Sequence, residues 1–197
     1  MTGKDIIKIT LNLVIVYLVG GFILAFAYAK ASPLIFKNSV EAEKKALKLL
    51  IPEADDISQL GEWTIHDKHA KYFVAKKDGA TIGYVVQSFG KGYSSYINTL
   101  IAVDKNFIVQ KINILGHAET PGLGDEIEMD YFKDRLKGKD VDHLKVLKTE
   151  TTEYVEAISG ATISSRAVTE DAVKNGVAFL IKTIKGGGTT DVKQQQH

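Results

Sequence analysis

Three periods of apolar residue divide this chain. From Ile9 to Ala29 it reads ITLNLVIVYLVGGFILAFAYA, about 21 residues without a charge. At 1.5 Å rise per residue, that length crosses a hydrocarbon core of ~30 Å. The pattern predicts one transmembrane helix. A cleaved signal peptide is the competing reading, because Ala29-Lys30-Ala31 has the small-x-small form of a cleavage site. The run is longer than the apolar core of about 7–15 residues that such peptides carry, which favours a retained anchor. Lys4 and Lys8 precede the span while Lys30 and Lys37 follow it, so the positive-inside rule scarcely selects an orientation. Thr10, Asn12 and Tyr17 within it are uncharged and are assigned no role.

Beyond Pro33 the period changes. Val40 to Leu50 places Val40, Ala42 or Ala46, Leu47 and Leu50 on one helical face with Glu and Lys opposite, and Pro52 ends it. Lys71–Ala75 and Thr81–Gln87 are β-branched and aromatic runs on either side of Lys77-Asp78-Gly79, a hairpin signal. Ser95–Val103 and Phe107–Leu115 flank Asp104-Lys105-Asn106 in the same manner. Helical spacing returns over Asp125–Leu136 and over Ser165–Ile184, where Val168, Val173, Val177, Leu180, Ile181 and Ile184 form the apolar stripe. Two hairpins packed with helices predict an α+β fold. The expected organisation is a membrane-spanning segment, 1–32, one domain, 33–185, and a tail, 186–197, without apolar periodicity and expected to be a mobile end.

Composition removes several functions. Lys and Arg total 25 against 24 Asp and Glu, a formal charge of +1, which leaves no surplus to neutralise a phosphate backbone and excludes nucleic acid as an expected partner. There are 0 cysteines, so thiol nucleophiles, disulfides, iron–sulfur clusters and c-type haem are excluded together. Any redox chemistry here needs an organic cofactor.

Two segments exceed what a scaffold requires. Ser159-Gly160-Ala161-Thr162-Ile163-Ser164-Ser165 is a small, hydroxyl-rich turn that runs into a predicted helix N-terminus. Unpaired amides and a partial positive charge there suit a phosphate. Capping by Ser164 or Ser165, with Glu170 and Asp171 in the early turns, accounts for the same residues. The second segment, Gly116-His117-Ala118-Glu119-Thr120-Pro121-Gly122-Leu123-Gly124, joins a strand to a helix with more special residues than a plain connection needs. It lacks the G-x-G-x-x-G spacing of a dinucleotide site. Glu119 and His117 have the chemistry of acid, base or metal ligand, but no further His or carboxylate stands at ligand spacing, and His66-x-x-His69 is an equally weak pair. No metal site is expected.

Together, the N-terminal span, HAETPGLGDEI (His117 to Ile127) and SGATISSRAV (Ser159 to Val168) closely resemble the FMN-carrying G component of the Rnf electron-transport complex. The resemblance extends to about Ile184. The related C component of the sodium-pumping NADH:quinone reductase is the alternative, and the modest length favours the Rnf protein. The resemblance implies covalent FMN, joined by a phosphoester to the threonine of S-G-A-T, here Thr162, with Ser159, Gly160, Ala161 and Ser164 about the phosphate. It further implies that Glu119, Thr120, Gly122, Leu123 and Gly124 contact the ring or ribityl chain and that the Lys91-Gly92-Tyr93 turn approaches from a neighbouring strand. Glu156 stands where the flavin transferase's recognition pattern usually has Asp, one methylene shorter.

The implied role is electron relay within a ferredoxin:NAD oxidoreductase complex that moves Na⁺ or H⁺. The implied partners are the complex's other membrane and iron–sulfur subunits, a flavin transferase and membrane lipid. The FMN domain would face the periplasm or external medium from the cytoplasmic membrane, with the N-terminus inside. No independent NADH-dependent activity is expected, since no nicotinamide fingerprint is present. A non-redox assembly module and a free-standing flavin reductase remain the readings from other classes.

Overall fold

The computed structural model describes residues 3–186, and it divides between Lys44 and Lys45 into two compact units. The predicted tail, apart from Gly186, and the first two residues lie outside the described residues. Helix α1 runs from Gly3 to Leu50 with Pro33 inside it. The span and the amphipathic stretch predicted as separate helices are therefore continuous. Proline removes one amide donor, and long helical stretches on either side carry the backbone through that loss. In the first unit, Val16, Leu18, Phe22 and Leu24 are all exposed. That is the apolar surface a lipid hydrocarbon would cover, and the helix is long and apolar enough to cross a membrane.

The second unit is built on a five-stranded antiparallel meander in chain order: β1 (Asp56–Ile65), β2 (Lys68–Lys77), β3 (Ala80–Lys91), β4 (Tyr96–Asp104) and β5 (Val109–Gly116). The β2–β3 hairpin turns where the sequence predicts, through Asp78 and Gly79, both at positive φ (50° and 77°), as a two-residue hairpin loop requires. The fourth and fifth strands also match the predicted runs. β1 has no counterpart among them. Its register skips one residue at Leu60, between Gln59 and Gly61, and that bulge breaks the alternation by which a strand is recognised. Trp63 secures it, donating its indole N–H to the Gln87 carbonyl at 2.9 Å and stacking on Phe179 at 4.4 Å between ring centroids.

Each face of the sheet is covered. Ala46, Leu47 and Leu50, at the end of α1, pack with Phe73, Val85, Leu100 and Ala102 on one face, so the predicted apolar face of that stretch is the one buried. Val86, Ile97, Ile101 and Val103 meet Val168, Val173, Val177 and Leu180 of the C-terminal helix on the other. That helix spans 162–185 without a break and includes two wider π-helical stretches, Ala167–Val173 and Ile181–Lys185. It approaches β3 so closely that a Cβ on Gly90 would run into the Ala167 carbonyl. The helix predicted over Asp125–Leu136 is interrupted. Met129 is extended (ψ 142°) and separates a 3₁₀ turn, Gly124–Glu128, from α2 (Asp130–Lys133) and a second 3₁₀ turn, Asp134–Leu136. Two short parallel strands, β6 (Val146–Leu147) and β7 (Val155–Glu156), lead into the Ser159–Thr162 turn.

Candidate functional site

Thr162 begins the C-terminal helix, three residues earlier than predicted, and it is half-buried. The residue ahead of it, Ala161, makes no side-chain cap, which corrects the expectation of capping by Ser164 or Ser165. Their hydroxyls are used elsewhere. Ser165 Oγ donates to the Ala161 carbonyl at 2.9 Å and accepts the Ile158 amide at 3.0 Å, while Ser164 Oγ donates to Glu119 at 2.5 Å. Glu170 and Asp171 do not serve the helix start either. Glu170 accepts the Val146 amide at 2.7 Å, and Asp171 accepts the Lys91 amide at 2.8 Å and faces His66 Nε2 at the same distance. The Ser165 amide bonds to the Ala161 carbonyl at 3.0 Å. The amides of Thr162, Ile163 and Ser164 therefore belong to the first turn, which has no carbonyl partners within the helix.

The Thr120–Leu123 stretch is a type II turn. The Leu123 amide returns to the Thr120 carbonyl at 3.2 Å, Pro121 occupies the position whose φ it presets, and Gly122 takes φ +73°. This turn presents Leu123 to Gly160, itself at φ +79°, where an added Cβ would lie 3.2 Å from Leu123 Cδ2. The two segments singled out in the sequence thus meet. Between them opens a cavity of about 1090 Å³, lined by Tyr93, Glu119, Thr120, Leu123 and Gly124 on one side and by Ser159 to Ser164 on the other.

Of the predicted site residues, three stand apart from this lining. Gly122 shapes the turn, Gly92 packs behind Glu119, and Lys91 lines a shallower neighbouring depression with Ile163 and Arg166. Glu126, Tyr131, Arg135, Lys148, Glu156, Ala157 and Ile158 complete the cavity. The sequence held no signal for Tyr131 or Arg135, which lie in α2 and in the 3₁₀ turn after it, elements too short to show a face. Arg135 donates to the Glu156 carbonyl at 2.9 Å and stands 3.5 Å from its carboxylate, fixing the strand that enters the Ser159–Thr162 turn.

Glu119 is the hub. Its carboxylate accepts the amides of Tyr93, Ser94 and Ser95, each at 3.0 Å, and the hydroxyls of Ser164 at 2.5 Å and Ser95 at 3.4 Å. Burial opposes its ionisation, but the Ser164 hydroxyl and the three amides outweigh that and hold its pKa below the usual 4.5. Among the described residues no group of three or more metal-ligating side chains forms. His117 Nε2 lies 3.0 Å from Glu128, and its other nitrogen accepts the Glu119 amide at 3.1 Å.

Known proteins match both the domain and most of the chain. A family model described as the FMN-binding domain matches residues 92–178, which contain both site segments. Over 185 residues, the chain is 34% identical to the G component of the proton-translocating ferredoxin:NAD(+) oxidoreductase complex of Clostridium ljungdahlii, covering 93% of this chain and 96% of that protein. It is 31% identical to the G component of the ion-translocating oxidoreductase complex of Methanosarcina acetivorans, covering 90% and 96%. Among solved structures, the C component of the Na(+)-translocating NADH-quinone reductase from Parabacteroides distasonis superposes with a TM-score of 0.57 at 21% identity, over 81% of this chain and 97% of that one. That likeness is one of fold.

Proposed function

We infer the function from the premise that this chain belongs to the family of G components of ion-translocating oxidoreductase complexes and carries its FMN-binding domain. It is a membrane-anchored electron-transfer subunit of a multi-subunit oxidoreductase. In the finer reading, Thr162 holds FMN covalently, through a phosphoester on its hydroxyl. The observation that carries this is the place of Thr162: it opens the helix at the cavity, with a positive-φ glycine two residues ahead and three first-turn amides beside it.

The residues fit that group. The Thr162, Ile163 and Ser164 amides supply donors for the phosphate oxygens, and Gly160 lets the backbone come close without a side chain in the way. Leu123, Ile163 and Tyr93 present apolar and aromatic surface to a planar ring, and all three are exposed. Bound FMN supplies one- and two-electron transfer. The chain's own task is to hold the ring's orientation, exclude free exchange of the cofactor and set the surrounding charge.

The electron route lies between ferredoxin and NAD, coupled to Na⁺ or H⁺, with both substrate sites on other subunits. A flavin transferase would load Thr162 outside the cytoplasm. That places residues before the span inside and the domain outside, and a single cysteine at Lys37 should then react with an impermeant thiol reagent in intact cells. Labelling only after lysis reverses the orientation. The tether is tested by in-gel flavin fluorescence after denaturation, from a host with the transferase. Wild type should fluoresce, Thr162→Ala should be dark and Thr162→Ser should retain signal. A colourless wild type refutes the flavoprotein reading.

A further inference from the structure

Among the described residues, Glu119 is the only charged side chain that is buried. Its surroundings allow it no free valence. A carboxylate offers about four lone-pair sites, and five donors already converge on it from two distant segments, the 93–95 turn and the first turn of the C-terminal helix. The glycines beside it enforce this fit. A Cβ on Gly92 would lie 2.5 Å from Glu119 Oε1, and one on Gly124 would lie 2.8 Å from both Glu119 Cβ and Ser164 Oγ. Glu119 lines the cavity, yet it has nothing left with which to grip a ligand.

The other charges there differ. Arg135 and Glu156 are paired at 3.5 Å. Glu126 takes the Tyr131 hydroxyl, and Lys148 is exposed. Water screens exposed charges strongly and a buried one weakly. Glu119 is therefore the least screened charge in the cavity lining.

We propose that Glu119 is a positioning and charge-setting residue for the bound flavin: it locks Ser164, two residues after Thr162, to the 93–95 turn and holds the cofactor's reduction potential low. The proposal rests on the FMN reading above. Taking up two electrons and one proton leaves the ring one unit more negative. A buried carboxylate nearby disfavours that state, whereas a neutral side chain of the same shape does not. Ser164 acts in the opposite sense. Its hydroxyl dipole offsets part of the carboxylate's charge, so removing it leaves the charge in place and less compensated.

The test is the midpoint potential of the flavinylated, full-length protein in detergent at pH 7, for wild type, Glu119→Gln and Ser164→Ala. Glu119→Gln should raise the potential by at least a tenfold change in the reduction constant, about 30 mV for a two-electron couple. Ser164→Ala should lower it. A purely structural role loosens the same contacts in both variants and moves both potentials the same way. That result overturns the proposal, as does an unshifted Glu119→Gln protein that still carries its flavin. If Glu119→Gln does not fold, Ser164→Ala decides alone: a fall supports the proposal, and a rise or no change overturns it. A wild type without flavin removes the FMN reading and this proposal together, whereas a flavinylated wild type with unmoved variants removes only this one.

Discussion

Asp171 and Glu119 both accept amides from the turn between β3 and β4, one at its start and one at its end. Asp171 takes the Lys91 amide at 2.8 Å, with His66 and Asn175 also on its carboxylate, and its side chain is 26% exposed. Glu119 takes the next amides but one, is only 5% exposed, and reaches Ser164 across the cavity. The bonds are alike in kind. What differs is the burial of the bonds: that from the Lys91 amide is exposed, those from Tyr93, Ser94 and Ser95 are half-buried, and that from the Ser164 hydroxyl is fully buried. A carboxylate that positions a site is thus distinguished from one that fastens a surface turn by its own burial and by the one partner it shields completely, Ser164.

The largest effect that contrast predicts is on stability. Glu119→Ala leaves the buried Ser164 hydroxyl and three half-buried amides without their acceptor and should cost about 3 kcal/mol, measured by chemical denaturation of flavin-free protein. Asp171→Ala should cost about 1 kcal/mol, because its partners are rehydrated. Equal losses would erase the distinction.

The pH dependence comes next. Glu119 has a folded pKa below its ordinary 4.5, so the stability it contributes is fully present above about pH 4.5 and is lost as pH falls through the lower, folded value. Glu119→Gln should flatten the stability curve below about pH 4.5. An acid limb as steep as in wild type would assign the loss to other groups.

This hub was only half visible in the sequence. Thr120-Pro121-Gly122-Leu123 announces its turn through local chemistry, as Asp78-Gly79 does its hairpin, because proline presets its φ and glycine admits a positive one without strain. Glu119 stood out as a residue but not as a hub. Its partners lie 24 to 26 and 45 residues away, and such contacts leave no periodic trace. The same holds for Arg135 on Glu156 and for the joining of Leu123 to Gly160. β1 escaped for a local reason, its bulge at Leu60, and the unbroken α1 because proline marks a probable break that neighbouring turns can override.

The smallest predicted effect runs the other way. Among the described residues, the buried hydroxyls of Ser88, Thr99 and Thr169 have no hydrogen-bond partner, and Ser88 and Thr99 are paired across β3 and β4. Where Glu119 is saturated, these groups are not, so Thr99→Val should stabilise the domain by about 1 kcal/mol, read as a higher thermal midpoint. A loss of that size would mean the hydroxyl is satisfied after all.

The proposed attachment of the flavin to Thr162 is read at single-residue level by mass spectrometry of the proteolytic peptide spanning Ser159 to Arg166. In protein from a host with the transferase, that peptide should be heavier by one FMN less one water, with fragment ions that place the increment on Thr162. An unmodified peptide, or an increment on Ser159, Ser164 or Ser165, would contradict it.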